Sequence, residues 1–523
     1  MEPTHPDRLV ENVTAPSAGG FPGPDGEVRS GKRLPFRTSS SYDADPTYGS
    51  LGQRCPPRFL VPHFTSAPTS RLKMSSTKPN ADFLLAFDAG TGSVRAQLFE
   101  LRAPDEPVPC GPRIAIPYAA ETGDERELSA VRWAEQVESA IAQAAMAAPK
   151  GAEVVLAGAT FLHSILGIDP ADWPITPLFT WADTESAATA EELRNEFDPE
   201  KYHQRTGCFL HPCFPFARLA RLRRAGGIQW HRGQRWVSSG GWLQLRWTGA
   251  ATVGHGLAAG SGLYDLHSAG WDPDLVSALD LVPHQLERLV EHDECLPLRR
   301  RPGSRLPENL SGLLPIWPDA ACSNIGSGCV EQTQWALNLG TSGALRVLTT
   351  IPDPGCIPPG LFCYRLTQER VLLGGATNNC GSLIHWLART LRLGEEPLTY
   401  AQLVKRAGTA TVPHAIPHLT GERSPDWPPR AAAAWTGIRL DTNAEALALS
   451  MLDAMAEQFG AIAMGLRSAV GDPACVVAGG GGAGDPSLVS RLAQAIGAPI
   501  AIAPDPETTL RGVAMAGAHH EWT

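Results

Sequence analysis

The strongest constraint on this chain is a pattern that occurs twice. FLLAFDAG (83–90) is an apolar run ending in Asp and Gly, and TGSVRAQLFE (91–100) turns and runs back. About 250 residues later, TQWALNLG (333–340) and TSGALRVLTT (341–350) repeat the plan. Each copy reads as a β-hairpin with a Gly-Thr tip of small residues, and Arg95 or Arg346 lies inside the returning strand. The spacing is too long for a stacked repeat and suits a duplicated domain with one hairpin per half. Glycine lets a backbone approach a ligand closely. Successive N–H groups then make a concavity for anions, and Thr and Ser hydroxyls add donors. Two such tips facing each other would grip a polyphosphate from both sides. Alone, either tip could be an ordinary turn; the pair, with Asp88 closing the first strand, carries the reading. Neither tip is the GxxxxGK[ST] loop.

A third glycine cluster follows. ACVVAGGGGAGDPS (474–487) reads as a short strand, four glycines and a helix start, which is a nucleotide-binding shape. It lies far from the chain start and lacks the GxGxxG context of a dinucleotide fold. PIAIAP (499–504) is the next expected strand and LRGVAMAGAHH (510–520) a final helix.

A chain of 523 residues is too long for one ordinary core, so several domains are expected. A hydrophobic content of 43% against 19% charged is a globular balance. The net charge of −10 argues against nucleic-acid or anionic-membrane binding, which needs basic patches. Eleven irregularly spaced cysteines without a CxxC pair speak for reduced thiols in a cytoplasmic protein, not for a disulfide framework or a zinc site. No apolar run approaches the ~20 residues that span a bilayer. Residues 1–80 are rich in Pro, Gly, Ser, Thr and Arg and lack an apolar period. They read as a disordered extension, or as residues upstream of a true start at Met74. Residues 81–330 and 331–523 are then the two halves.

The three glycine elements, in this order, resemble the FGGY family of carbohydrate kinases. DAGTGSVR (88–95) resembles its first phosphate motif, NLGTSGALR (338–346) its second and GGGAGD (480–485) its adenosine motif. The resemblance covers about residues 82–520. It implies two ribonuclease-H-like, actin-like ATPase domains with an interdomain cleft. LHSILGID (162–169), TPLFTWADT (176–184), GGATNNCG (374–381) and HLTGERSPDW (418–427) are similar to the gluconate kinase branch. That branch carries Arg where Glu185 stands here. An inward Glu185 would repel a sugar acid; an outward one would do nothing. Gly254, Gly256, Ala259 and Asp485 are further departures.

The resemblance implies ATP and Mg²⁺ as cofactors and a sugar or sugar acid as acceptor, and two copies could pair as a homodimer. Asp319, in WPDAACSNIGSG (317–328), matches the general base, because phosphoryl transfer needs a carboxylate to take the acceptor's proton. Asp88 would hold Mg²⁺ through water. Gly90, Thr91, Gly92, Ser93 and Arg95 would border phosphates from one half, and Gly340, Thr341 and Ser342 from the other. Gly480, Gly481, Gly482 and Ala483 would flank adenosine, where larger side chains would collide with it. Arg346 reads as a solvated strand residue. His163, Trp181 and Asp183 would hold the acceptor, with Asn378 and Asn379 from the second half. Gluconate is the expected acceptor; another ketose, polyol or aldonate, or a non-catalytic sugar sensor, are the rival readings. An actin-like chaperone ATPase would share the hairpins but lack the WAD and GER segments.

Overall fold

The computed structural model describes residues 81–101, 107–118, 126–227, 230, 235–299, 304–394, 397–428, 430–505 and 507–518. The expectations for residues 1–80 lie outside the described residues.

The first hairpin is as the sequence indicates. β1 (Phe83–Ala89) is almost wholly buried, whereas β2 (Ser93–Glu100) alternates between buried and half-buried positions. This difference follows from position: β1 is covered on both faces at the centre of the sheet, and β2 lies farther out. They pair antiparallel with Asp88 opposite Arg95. β3 (Val108–Pro117) adds antiparallel to β2. Helix α1 (Ala130–Ala145) lays Trp133, Val137, Ile141 and Ala144 against this sheet, as a 3.6-residue period requires. β4 (Val154–Thr160) and β5 (Leu310–Leu313) add in parallel on the other side of β1, giving the order β3-β2-β1-β4-β5. β6 (Trp317–Pro318) continues beside the end of β4 and leads into helix α2 (Asp319–Gly326).

The second half repeats this topology. β7 (Gln334–Leu339) and β8 (Gly343–Thr350) form the second hairpin. After them come β9 (Phe362–Arg365), β10 (Arg370–Thr377), helix α3 (Gly381–Thr390), helix α4 (Ala444–Val470), β11 (Cys475–Gly479), helix α5 (Pro486–Ile496) and β12 (Ile500–Ile502). The sheet order is β9-β10-β8-β7-β11-β12, with β7-β11-β12 parallel and the other pairs antiparallel. Removing the edge strand β9 leaves the arrangement of the first half. Each half has its own apolar core, one around Leu85, Phe87 and Trp247 and the other around Trp335, Leu345 and Phe459. α4 is long and apolar enough, by length and composition, to cross a bilayer. About two thirds of that stretch is buried within the fold, against the second sheet and α5. The described cysteines are all free thiols.

The final helix α6 (Thr508–Ala518) lies in the segment expected as the second domain, yet it packs on α2 and β1 of the first half. The crossing depends on two glycines. A Cβ on Gly512 would lie 1.8 Å from the Cys322 carbonyl oxygen, and one on Gly326 would lie 1.8 Å from the Thr508 carbonyl oxygen. Both obstacles are backbone, so neither can rotate away. Gly512→Ala should therefore destabilise the chain by about 1–3 kcal/mol, the usual range for overpacking. Urea denaturation would measure this, and a midpoint equal to wild type would contradict the close crossing.

Candidate active site

The two hairpin tips, the first turn of α2 and the start of α6 meet at one cleft of about 490 Å³. Gly90, Thr91, Gly92, Ser93 and Arg95 line it from one side, and Thr341 and Ser342 from the other. The first tip is held by the Trp133 Nε1–H, which donates to Gly90 O at 3.3 Å, and by the Tyr118 N–H, which donates to Gly92 O at 3.0 Å. Gly340 lies in an adjoining pocket of about 600 Å³ together with Gly481 and Gly482. Gly480 borders the cleft itself.

Two glycines of the run are required by the fold itself. At Gly480 φ is +89°, and a Cβ there would lie 2.7 Å from the Leu339 carbonyl. At Gly482 it would lie 2.9 Å from the Leu339 Cβ. The end of β7 excludes side chains at these two positions. Gly481 has open space beside it. Ala483 does not line the pocket; it is buried in the second core. Asp485 caps α5 by accepting the N–H groups of Ser487 and Leu488.

Asp88 and Asp319 both line the cleft. Asp319 is the first residue of α2, and its Oδ1 accepts the Ala320 N–H at 2.7 Å. Burial lifts its pKa to about 6 against the opposing charge of Arg346. Asp88 is raised further, to about 7: burial dominates, the Asp319 charge adds, Arg95 opposes and Glu507 adds. Arg95 lies between acids, 3.6 Å from Asp88 and 3.1 Å from Glu507. Arg346 is not a solvated strand residue. It is 5% exposed, lines the cleft, and burial lowers its pKa to about 10.

His163 is buried with a positive φ of 63°. Its Nδ1 lies 2.8 Å from Gly260 O and must donate to that carbonyl, which leaves Nε2 as an acceptor 3.4 Å from the Tyr364 hydroxyl. Burial holds the ring neutral, with a pKa of about 3. Trp181 lines the cleft with the Arg423 guanidinium 5.5 Å from its ring centre. Asp183 does not reach the cleft. Its carboxylate pairs with the fully buried Arg218 at 2.6 Å, and Arg218 in turn donates to the carbonyls of His163 and Thr180. Asp183 thus secures the segments that carry His163 and Trp181. Asn378 and Asn379 line a neighbouring cavity of about 870 Å³, which Trp181 and Thr341 also border. Glu185 is outward: its carboxylate is 54% exposed and pairs with Arg221 at 3.3 Å. Glu507, Arg423 and Tyr364 also line the cleft, although sequence reasoning singled out none of them. The HLTGERSPDW segment carried Arg423 as a motif residue without a role.

A duplicated strand–hairpin–parallel-strand topology, closing on a cleft with two Gly-Thr tips and buried carboxylates, defines a two-domain, ribonuclease-H-like fold of the actin-like ATPase type. The family model for the FGGY family of carbohydrate kinases, N-terminal domain, matches residues 83–298, and that for the C-terminal domain matches residues 335–521. The chain therefore belongs to the FGGY family of ATP-dependent carbohydrate kinases. The gluconokinase of Bacillus subtilis is 24% identical over 425 residues, covering 76% of this chain and 80% of its own length. The glycerol kinase of Thermus brockianus is 27% identical over 456 residues, covering 83% and 89%. Among solved structures, the gluconate kinase from Lactobacillus acidophilus is similar with a TM-score of 0.73 at 22% identity, covering 83% and 88%. The ligand-bound xylulose kinase from the same organism has a TM-score of 0.74 at 21% identity, with the same coverage.

The buried acids carry a stability signature. Asp88 has a folded-state pKa of about 7, well above the unfolded value of about 3.9. Its protonation therefore favours the fold at low pH, and that contribution is lost as pH rises through 7. Asp88→Asn should gain stability relative to wild type by roughly 2–3 kcal/mol between pH 5 and pH 8. Unfolding curves of the nucleotide-free chain that stay parallel across this range would rule the effect out.

Proposed function

We propose that this kinase transfers the γ-phosphoryl group of ATP to a hydroxyl of a sugar acid, with D-gluconate as acceptor and 6-phosphogluconate as product. The observation that carries the reading is the meeting of Asp319, Asp88 and both Gly-Thr tips in one cleft that His163 and Trp181 also line. Asp319 is the general base. The acceptor hydroxyl gives its proton to the Asp319 carboxylate as its oxygen bonds to phosphorus, and the bond from phosphorus to the ADP oxygen breaks. The tip N–H and hydroxyl groups, with Arg95, hold the phosphates from the first half; Gly340, Thr341 and Ser342 hold them from the second. Gly481 and the adjoining pocket receive adenosine. Neutral His163 accepts a hydrogen bond from an acceptor hydroxyl, and Trp181 provides an apolar wall.

Mg²⁺ fits this site at Asp88. Among the described residues no group of three or more His, Cys, Asp or Glu could hold a metal ion, but Mg²⁺ keeps most of its water shell and needs only one or two carboxylates. Burial raises the Asp88 pKa most and the Asp319 charge adds to it, so a cation at Asp88 would offset the cost of its negative charge. The ion would neutralise the phosphates.

The gluconate assignment is supported by the gluconokinase relatives and by the outward Glu185, which removes the one acid expected to repel a sugar acid. The alternative acceptor is a ketose or polyol, favoured by the similarity to xylulose and glycerol kinases. A coupled assay of ADP release should give gluconate a higher kcat/KM than xylulose or glycerol. Because Glu185 is a surface ion pair, Glu185→Arg should change the gluconate value by less than about fivefold. Preferential turnover of a neutral acceptor would overturn the assignment and leave the kinase chemistry intact.

Asp319→Asn keeps the shape but cannot accept a proton. It should lower kcat by roughly 10²–10⁴-fold with the Kd for ATP little changed. Wild type should lose rate as pH falls through about 6, where Asp319 protonates. A variant that kept more than about a tenth of the wild-type rate would show that another group takes the proton.

A further inference from the structure

Around Trp181, which borders both the cleft and the neighbouring cavity, two buried hydrogen-bond donors lack acceptors among the described residues. Arg423 lies on a segment fastened to the end of β10. The Ser424 N–H donates to Ala376 O at 2.9 Å, the Ala376 N–H donates to Ser424 Oγ at 3.1 Å, and Arg423 Nη2 donates to Thr377 O at 2.7 Å. The neighbouring Glu422 is 1% exposed, and its carboxylate is taken up by the N–H groups of Asn378 and Arg423 and by His418. The Arg423 guanidinium, 5.5 Å from the Trp181 ring centre, has its Nε buried with no hydrogen-bond partner among the described residues. Asn379 is two residues beyond the Thr377 carbonyl that holds Arg423, and is 3% exposed. Its Oδ1 accepts from Thr420 at 3.4 Å, while its Nδ2 is likewise buried without a partner. Asn379 and Trp181 line the same cavity.

Leaving a buried donor unpaired is costly, and the cost is removed when a ligand supplies the acceptor. Arg423 and Asn379 offer only N–H groups here, one set charged, which suits an oxyanion. A guanidinium matches a carboxylate in plane and spacing. His163 presents the opposite polarity, because its unprotonated Nε2, which the Tyr364 hydroxyl approaches at 3.4 Å, can only accept and would repel a carboxylate oxygen. The cleft is therefore directional.

We propose that Arg423 and Asn379 form a carboxylate subsite beside Trp181, which selects sugar acids over neutral sugars and places their hydroxyl groups toward His163. The inference rests on the sugar-acid kinase reading and deepens it by naming the group recognised and the residues that recognise it.

The test compares each sugar acid with its own alditol: gluconate with glucitol, and xylonate with xylitol. The readout is the acid-to-alditol ratio of kcat/KM, with the same ratio of Kd measured by calorimetry without nucleotide. Wild type should favour the acid. Arg423→Gln should lower the ratio about 10- to 100-fold, the range for a lost hydrogen bond to a charged group. Arg423→Lys should fall between, since it keeps the charge and loses the fork. Asn379→Leu leaves Arg423 in place and should lower the ratio severalfold, which keeps the test open if Arg423→Gln folds poorly. A wild-type ratio near one overturns the subsite. So does a ratio unmoved by Arg423→Gln, the result expected if Arg423 instead served the transferring phosphate, because both acceptors would then decline together. If xylonate outperforms gluconate, the gluconate assignment fails and the carboxylate subsite stands.

Discussion

The site depends on the backbone-to-backbone crossing of α2 and α6 at Gly326 and Gly512. α2 begins at Asp319, and α6 begins at Thr508, directly after Glu507. Both helices start at the cleft and run away from it, and the hydroxyls of Ser323 and Thr508 meet at 3.1 Å near their starts. With no side chain between them at the crossing, the helices come close enough to bring Asp319 and Glu507 to the same cleft as Asp88. The chain thereby returns its last helix to its first half, which fastens the two halves together behind the cleft.

The same geometry gathers carboxylates where water is scarce. Asp88, Asp319 and Glu507 face Arg95 and Arg346, and burial raises the pKa of both aspartates. An arrangement of this kind is costly without a ligand. In the proposed function a cation and a polyphosphate entering together would remove this cost, the cation offsetting the acids and the tips and arginines receiving the phosphates. The same cleft is also lined by His163, Trp181 and Tyr364, which the proposal assigns to the acceptor.

Much of the fold was legible because it rests on local patterns. The strand–Gly-Thr–strand runs became β1-β2 and β7-β8, and their repetition announced two sheets of the same topology. Cleft residues close to those patterns were found from the sequence: Asp88, the first tip, Asp319, His163 and Trp181 all border one cleft. The exceptions are instructive. Asp183 sits in the WAD motif as if to touch a ligand, but its partner Arg218 lies 35 residues downstream and draws the carboxylate away from the cleft. Arg346 reads as a solvated strand residue, but β8 lies between two neighbouring strands and Arg346 lines the cleft. Gly480 and Gly482 are also required by Leu339, about 140 residues earlier, and Ala483 is buried in the second core, constraints that no local spacing reveals.

By itself the sequence determined the strand and helix periods, the two Gly-Thr hairpin tips and the family, because these depend on residues within a few positions of one another. Only the tertiary structure decided where the charges point. Glu185 turns outward to Arg221, and Arg423 turns inward over Trp181. Arg423 and Trp181 are 242 positions apart, and no local rule of spacing relates them. Their meeting requires that the segment bearing Arg423 be fastened to the end of β10, and that the second half lie across the cleft from the first. Long-range packing sets that relation, so the polarity of the acceptor end emerges only once both halves are folded.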